Sequence, residues 1–265
     1  MTSSQSQSLG RGKLALGPAL CGDIVIVVVG TEQKKYHIHR AVLIHHSEYF
    51  RNALKGPWKE AEEGVVPLAD VEVETFDVFA QWIYSGTLPD DSQIDECSEI
   101  GTEIRWQYAK AFVFGDRFLA HQYLCAVYEK LNALIQMDIV WLYPNREWIE
   151  ITNYFYENVP SHHPFLQQLA EYYRLEWCAL DEHRKRLGQL DWIKNDYSSF
   201  SATTQRSLPP DFLIRVTQGI QQHGLDSDHY WYEKYCYIEH KWSGEKESCK
   251  KMHMSHSELH GYGFY

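Results

Sequence analysis

Two cysteine–histidine pairs near the end of the sequence carry the donor atoms of a metal site. Cys236 precedes His240 and Cys249 precedes His253, each with three residues between the donors. Thiolate sulfur and imidazole nitrogen are preferred ligands of Zn²⁺, and four of them complete a tetrahedral site. The spacing is not that of a common zinc finger, and the second pair falls in a Lys/His/Ser-rich segment. These four residues are kept as weak zinc candidates, and no cofactor is expected.

Motifs of a catalytic centre are missing from the sequence. It contains no G-x-S-x-G elbow, no H-E-x-x-H pair and no Walker loop. The six cysteines include no C-x-x-C pair, a usage that fits reduced intracellular thiols better than a disulfide framework. The chain is therefore predicted not to be an enzyme.

A tryptophan and a nearby glutamate have the chemistry of a protein interface instead. Trp58 and Glu60 follow the helix-breaking step Gly56-Pro57, so the indole is expected on a loop with its surface available. A Trp anchor beside a carboxylate is typical of an interface hot spot. The alternative is that Trp58 folds back onto its own domain. Phe50 is the third candidate for partner binding, although taken alone a Phe in this helical segment is more typical of a core.

The elements that position these residues lie between Asp23 and Glu63. The β-branched run Ile24–Val29 predicts a central strand buried on both faces, paired with a strand over Lys35–Ile38. His39 then stands where a strand becomes a helix and is expected to hydrogen-bond the backbone groups left unpaired there. Ser47 is predicted to cap a second helix that ends before Gly56. A short strand over 65–68 contains a proline, which favours an edge position.

The rest of the sequence is predicted to be mainly helical. Apolar residues recur at helical spacing from Phe76 to Tyr84, and two further helices follow before Met137. Later helices are predicted over Arg146–Asn158, Phe165–Trp177, Leu180–Leu190 and Pro210–Gln221.

Composition and charge restrict the partners. The 265 residues are 44% hydrophobic and 14% aromatic, which is too apolar for a disordered chain. A formal net charge of −11 argues against nucleic-acid and anionic-membrane partners, because both require basic surfaces. The first residues are polar, without the apolar region of a signal peptide. We expect an intracellular protein of the cytoplasm, the nucleus or both.

Four motifs in order resemble the BTB/POZ domain. They are the strand that begins at Asp23, the step Tyr36-His-Ile-His39-Arg-Ala-Val-Leu43, the step Ser47-Glu-Tyr-Phe50, and the helix end Val78–Gly86. The helical part that follows, up to Asp211-Phe212-Leu-Ile, looks like the C-terminal part of fungal BTB proteins.

The resemblance implies an α+β protein in which a short sheet is capped by a helical cluster and followed by an all-helical extension. The expected organisation is a flexible segment over 1–19, a BTB/POZ domain over 20–135, the extension over 136–242, and a disordered tail over 243–265. The stretch before the first strand offers Gly and Pro where dimeric BTB domains that exchange their N-termini carry an amphipathic helix. The resemblance therefore does not extend to that form of dimer.

The resemblance also implies a function. In cullin-binding BTB domains an apolar-x-Glu triplet contacts the cullin, and Trp58-Lys59-Glu60 matches it. The primary hypothesis is a non-enzymatic interaction module that recruits an unidentified substrate to a cullin-type ubiquitin ligase. The alternatives are a self-associating BTB scaffold or transcription-related factor without a ligase link, and, ranked lower, a zinc-dependent protein that uses the Cys/His pairs.

Overall fold

The chain divides between Leu131 and Asn132 into two units. The computed structural model describes residues 14–89, 99–140, 146–174 and 208–223. The first unit holds the sheet and the helices around it, and the second is described through its helices.

A three-stranded sheet with the order β2-β1-β3 forms the first layer of the first unit. Strand β1 (Ile24–Val29) pairs antiparallel with β2 (Lys34–His39) and parallel with β3 (Val65–Leu68). The predicted central position of β1 and the edge position of the proline-containing β3 are therefore confirmed. The prediction that both faces of β1 are buried is wrong. Val25, Val27 and Val29 are buried, whereas Ile26 and Val28 on the opposite face are only half-buried.

Helices cover the sheet, as expected for an α+β protein with a short sheet and a helical cluster, and this prediction is confirmed. They are α1 (Leu16–Ala19), α2 (Arg40–His46), α3 (Glu48–Lys55), α4 (Lys59–Glu63), α5 (Val73–Ser85), α6 (Glu99–Arg117) and α7 (His121–Val140), the last of which crosses the boundary between the units.

Aromatic rings fill the core between α3, α5, α6 and α7. Phe50 of α3 stacks on Phe118 with ring centroids 5.6 Å apart, and Phe118 stacks on Phe114 at 4.3 Å. Phe79 of α5 lies 4.9 Å from Phe114 and 5.1 Å from Tyr123. All five side chains are buried. Offset and edge-on aromatic pairs add to the free energy gained by burying the rings, so this cluster is a major source of stability.

The buried hydroxyl of Ser47 connects α3 to the corner between α6 and α7. The amide of Phe50 donates to Ser47 Oγ over 3.2 Å, which is the predicted N-cap. The same hydroxyl donates to the carbonyl of Phe118 over 2.6 Å. The amide of Glu48 donates to the carbonyl of Leu119, a residue held at a φ of 51°. The hydroxyl of one serine thus hydrogen-bonds an amide at the start of α3 and a carbonyl at the corner after α6, which lie far apart in the sequence.

A tyrosine of α5 completes the step from β2 into α2. The hydroxyl of Tyr84 accepts a hydrogen bond from the backbone amide of His39 over 3.0 Å and lies 2.9 Å from Nδ1 of the same residue. The expectation that the imidazole bonds the unpaired backbone is therefore corrected. The backbone amide of His39 is satisfied by Tyr84, and the imidazole contacts the same hydroxyl.

A surface contact also links β2 to α5. The hydroxyl of Tyr36 donates to Asp77 Oδ1 over 2.6 Å, and Lys34 Nζ lies 3.0 Å from Asp77 Oδ2. Burial raises the pKa of the Tyr36 hydroxyl, and the hydrogen bond to Asp77 raises this pKa further. Because the ion pair is solvent-exposed, it contributes little to stability compared with the aromatic core.

The second unit is described through three helices besides the end of α7. They are α8 (Arg146–Asn158), α9 over residues 164–174, and α10 (Pro210–His223). The predicted helix Arg146–Asn158 is confirmed, and the one predicted from Pro210 ends at His223 instead of Gln221. Of the helix predicted over 165–177, residues 175–177 lie outside the described residues, as does all of the helix predicted over 180–190.

A buried ion pair lies where α9 meets α10. Arg174 Nε is 2.7 Å from Glu171 Oε2, and both side chains are almost inaccessible to solvent. A Cβ on Gly219 of α10 would stand 2.8 Å from Glu171 Oε1, so the glycine allows the close approach of the helices. Phe212 of α10 packs edge-on against Tyr156 and Tyr173, and burial raises the pKa of Tyr156 to about 12.

A helix that spans a bilayer needs about 20 consecutive, mainly apolar residues, and the helices of the described residues differ from that pattern. None of them combines enough length with enough apolar character to cross a membrane.

We expect Ser47→Ala to lower the free energy of unfolding by about 2–3 kcal/mol, because it removes a helix cap and leaves the buried carbonyl of Phe118 without its donor. Urea denaturation followed by circular dichroism measures the change. The matched control is Ser85→Ala, since the exposed Ser85 hydroxyl donates to the Gln81 carbonyl at the end of α5. This control should change the free energy of unfolding by less than about 0.5 kcal/mol. Equal effects of the two substitutions would contradict the role given to Ser47.

Candidate protein-binding site

The loop that joins α3 to α4 carries the predicted interface residues. Gly56 ends α3, and Trp58 is the N-cap residue of α4. The carbonyl of Trp58 accepts hydrogen bonds from the amides of Ala61 and Glu62 over 3.0 and 3.3 Å. Gly64 ends α4 with a φ of 66°, a left-handed conformation that suits glycine. Trp58 is therefore fixed at the start of a short helix bounded by two glycines.

Trp58 presents a large apolar surface to solvent. Its relative exposure of 61% is the highest among the exposed large hydrophobic side chains of the described residues. The indole thus has the accessible surface expected from the Gly-Pro step before it. Exposing the apolar surface of an indole to water is unfavourable in free energy. When a partner covers such a side chain, it often dominates the binding free energy.

Glu60 lies close to Trp58, in the first turn of α4, and is half-buried. None of the five residues of this helix is buried. Lys59 and Glu63 of the same helix form an exposed ion pair with 3.6 Å between Nζ and Oε1. The structure therefore brings an apolar ring and a set of charged side chains together on one exposed segment.

Phe50 has a different position from the other two candidates. Its side chain has 0% relative exposure and lies in the aromatic core, stacked on Phe118. In this conformation it has no surface to offer to a partner, so direct contact through Phe50 does not fit the geometry. Its physical role is to anchor α3, the helix that leads to Trp58.

Two arginines hold the polypeptide around α3. The guanidinium of Arg40 donates to the carbonyl of Leu54 in the last turn of α3. That carbonyl belongs to the group that a helix end leaves without a partner inside the helix. Arg51 donates to the carbonyl of Ile44 in α2 over 2.9 and 3.2 Å. Sequence reasoning missed both, because only their basic character was legible and the partner carbonyls were not.

The zinc candidates Cys236, His240, Cys249 and His253 all lie outside the described residues. Within the part of the chain that the structure describes, no group of three or more His, Cys, Asp or Glu side chains is arranged to hold a metal ion. The zinc hypothesis therefore stays as the sequence stated it.

Known proteins are similar to part of this sequence. The family model of the BTB/POZ domain matches residues 18–110. Kelch repeat and BTB domain-containing protein 4 of Mus musculus is 35% identical over 121 residues, which are 44% of this chain and 22% of that protein. Its counterpart of the same name in Homo sapiens is 34% identical over 121 residues, with the same two shares. BTB/POZ domain-containing protein 9 of Drosophila melanogaster is 41% identical over 69 residues, or 24% of this chain and 9% of that protein.

The chain contains a BTB/POZ domain at residues 18–110, as its motifs predicted. This domain is a protein-interaction domain, so the chain carries a protein-interaction module. The match with the mouse relative spans only 22% of that protein's length. The likeness of the helical extension to fungal BTB proteins falls outside the matched residues and stays a prediction.

We expect Arg40→Met to loosen the last turn of α3, because the carbonyl of Leu54 loses its donor. Amides in peptides over 52–58 should exchange hydrogen about fivefold faster, which corresponds to the loss of about 1 kcal/mol of local stability. Hydrogen exchange read by mass spectrometry measures this. Arg51→Met is the matched control, and it should instead accelerate exchange at the end of α2. The role of Arg40 is refuted if both variants affect residues 52–58 equally.

Proposed function

We propose that this protein is a substrate-recruiting adaptor of a cullin-type ubiquitin ligase, with Trp58 and Glu60 facing the cullin. The observation that carries the proposal is the exposure of Trp58 at the start of α4, at 61%. The triplet Trp58-Lys59-Glu60 resembles the apolar-x-Glu triplet through which cullin-binding BTB domains contact the cullin, and it lies on an unburied segment of a BTB/POZ domain.

The geometry around the triplet supports this assignment. An interface hot spot combines an apolar anchor that becomes desolvated with polar groups at its edge. Trp58 supplies the anchor and Glu60 the acceptor, while the Lys59–Glu63 pair stays at the rim. The aromatic core beneath α3 makes the platform rigid, so binding does not require the loop to fold first.

The substrate is proposed to bind outside the BTB/POZ domain. The mouse and human relatives have names that describe kelch repeats, and their match with this chain is confined to 22% of their length. In this chain the proposed counterpart is the helical extension predicted over 136–242, of which the structure describes parts as the end of α7, α8, α9 and α10. It either extends the cullin contact or holds the client.

We expect Trp58→Ala to weaken binding to a recombinant cullin N-terminal domain by at least about 30-fold, the loss typical of a hot-spot aromatic. Isothermal titration with the full chain measures the dissociation constant. Leu119→Ala is the control, since Leu119 is an exposed apolar side chain of 41% relative exposure in the corner between α6 and α7. It should bind like the wild type. Unchanged cullin affinity in Trp58→Ala would remove the proposed contact.

We expect Glu60→Ala to weaken cullin binding by about tenfold, because the partner's donor loses a charge-assisted hydrogen bond. Glu62→Ala removes the same charge from an exposed position of the same short helix and serves as the control. Titration of both variants at the same ionic strength separates the specific role of Glu60 from net charge. If Glu62→Ala costs as much affinity as Glu60→Ala, the effect is general electrostatics and not a defined contact.

A second candidate function, self-association as a scaffold, is favoured by one observation. Leu16, Leu20 and Ile24 are exposed apolar side chains grouped in sequence at the start of the domain, with relative exposures of 38, 41 and 56%. Light scattering after gel filtration tests this candidate. If the group mediates self-association, Ile24→Asp should convert dimers to monomers without changing cullin affinity. A wild-type chain that is monomeric at all concentrations would dismiss it.

A further inference from the structure

We infer that Gly56 is a positioning residue for the Trp58 indole, an inference that rests on the proposed cullin contact. The sequence gives Gly56 the role of a helix breaker. The structure gives it a second one, because the indole of Trp58 lies directly against its backbone.

The contact leaves no room for a side chain at position 56. A Cβ added to Gly56 would stand 2.4 Å from Cδ1 and 2.5 Å from Nε1 of Trp58, whereas real Cβ atoms stay beyond 3.0 Å. It would also stand 3.2 Å from the carbonyl oxygen of Asn52. The five-membered ring of the indole therefore occupies the volume that any other residue type would fill.

The backbone conformation does not explain the glycine. Gly56 has a φ of −82° and a ψ of 179°, an extended conformation that every L-residue adopts. Gly64, at the other end of α4, is the opposite case. Its φ of 66° favours glycine, yet a Cβ there would meet nothing within 4 Å. The chain thus offers one glycine required for space and one required for conformation on either side of the same short helix.

The backbone of Gly56 on which the indole packs, called the seat below, is itself held in place. The amide of Gly56 donates to the carbonyl of Asn52 over 3.2 Å, which anchors the position to the last turn of α3. One edge of the indole packs on this anchored backbone while most of the ring stays open to solvent. A side chain that is already oriented loses less conformational freedom when a partner covers it, so the seat raises the affinity of the site.

The substitution Gly56→Ala tests the inference because it should move the indole and leave the fold intact. The obstructing atoms belong to an exposed side chain that can rotate away. The full chain is labelled with 5-fluorotryptophan, and the Trp58 signal is assigned from its loss in Trp58→Phe. Fluorine NMR then reports the environment of the indole without any partner. Gly56→Ala should shift or broaden this signal, whereas Gly64→Ala should leave it in place.

Cullin affinity provides the second readout. Gly56→Ala should weaken binding by about tenfold, less than Trp58→Ala, since a displaced anchor still contributes contact area. A double-mutant cycle separates this effect from any change in α3: in a Trp58→Ala background, Gly56→Ala should cause no further loss. A full additional loss in that background would overturn the inference.

Two other results would also overturn it, namely an unchanged Trp58 signal in Gly56→Ala, and a moved signal with unchanged cullin affinity. If the wild-type chain binds no cullin at all, the proposed function fails by itself. The fluorine signal then decides alone whether Gly56 seats the indole.

Discussion

Ser47 lies where α3 meets the corner between α6 and α7, and its buried hydroxyl uses both of its hydrogen-bonding capacities there. As an acceptor it starts α3 through the amide of Phe50, and as a donor it satisfies the carbonyl of Phe118. The two backbone partners belong to residues whose side-chain rings stack on each other. Polar satisfaction and aromatic packing therefore meet at one point, because the same hydroxyl holds the backbone of both residues whose rings stack. These hydrogen bonds and the ring stacking together set the direction of α3.

The position of the candidate site is a consequence of that direction. Phe50 fixes the inner face of α3, and Arg40 holds the last turn through the carbonyl of Leu54. The chain then leaves α3 at Gly56, whose amide is still bonded to Asn52. Each constraint is internal to the first unit, and together they place Trp58 outside the core although it lies only a few residues from fully buried rings. A rigid interior is what allows an exposed tryptophan to be a defined feature of the surface.

Local patterns in the sequence were sufficient for much of this architecture. The β-branched run of β1, the proline of β3 and the cap at Ser47 each have a physical cause within a few residues, and the structure confirms all three. The prediction that both faces of β1 are buried was wrong, since coverage of a strand depends on elements remote in sequence. The hydrogen bond that the His39 amide donates to the Tyr84 hydroxyl was likewise not predictable, because it joins residues 45 positions apart. At the candidate site, the exposure of Trp58 agrees with the helix-breaking Gly-Pro step before it. The burial of Phe50 depends on the rings of Phe79 in α5 and Phe118 just after α6, which are remote in sequence.

Trp58 and Phe50 show how one segment separates stability from recognition. The hydrophobic free energy of the Phe50 ring contributes to folding, because the whole ring leaves water when α3 packs. Trp58 keeps most of its apolar surface in water, so the corresponding free energy is still available for binding. An exposed ring that moved freely would lose part of that energy to ordering on association. The contact with Gly56 reduces this loss while covering only an edge of the indole. A glycine before the anchor is therefore better suited to binding than a larger residue that would either displace the indole or cover it.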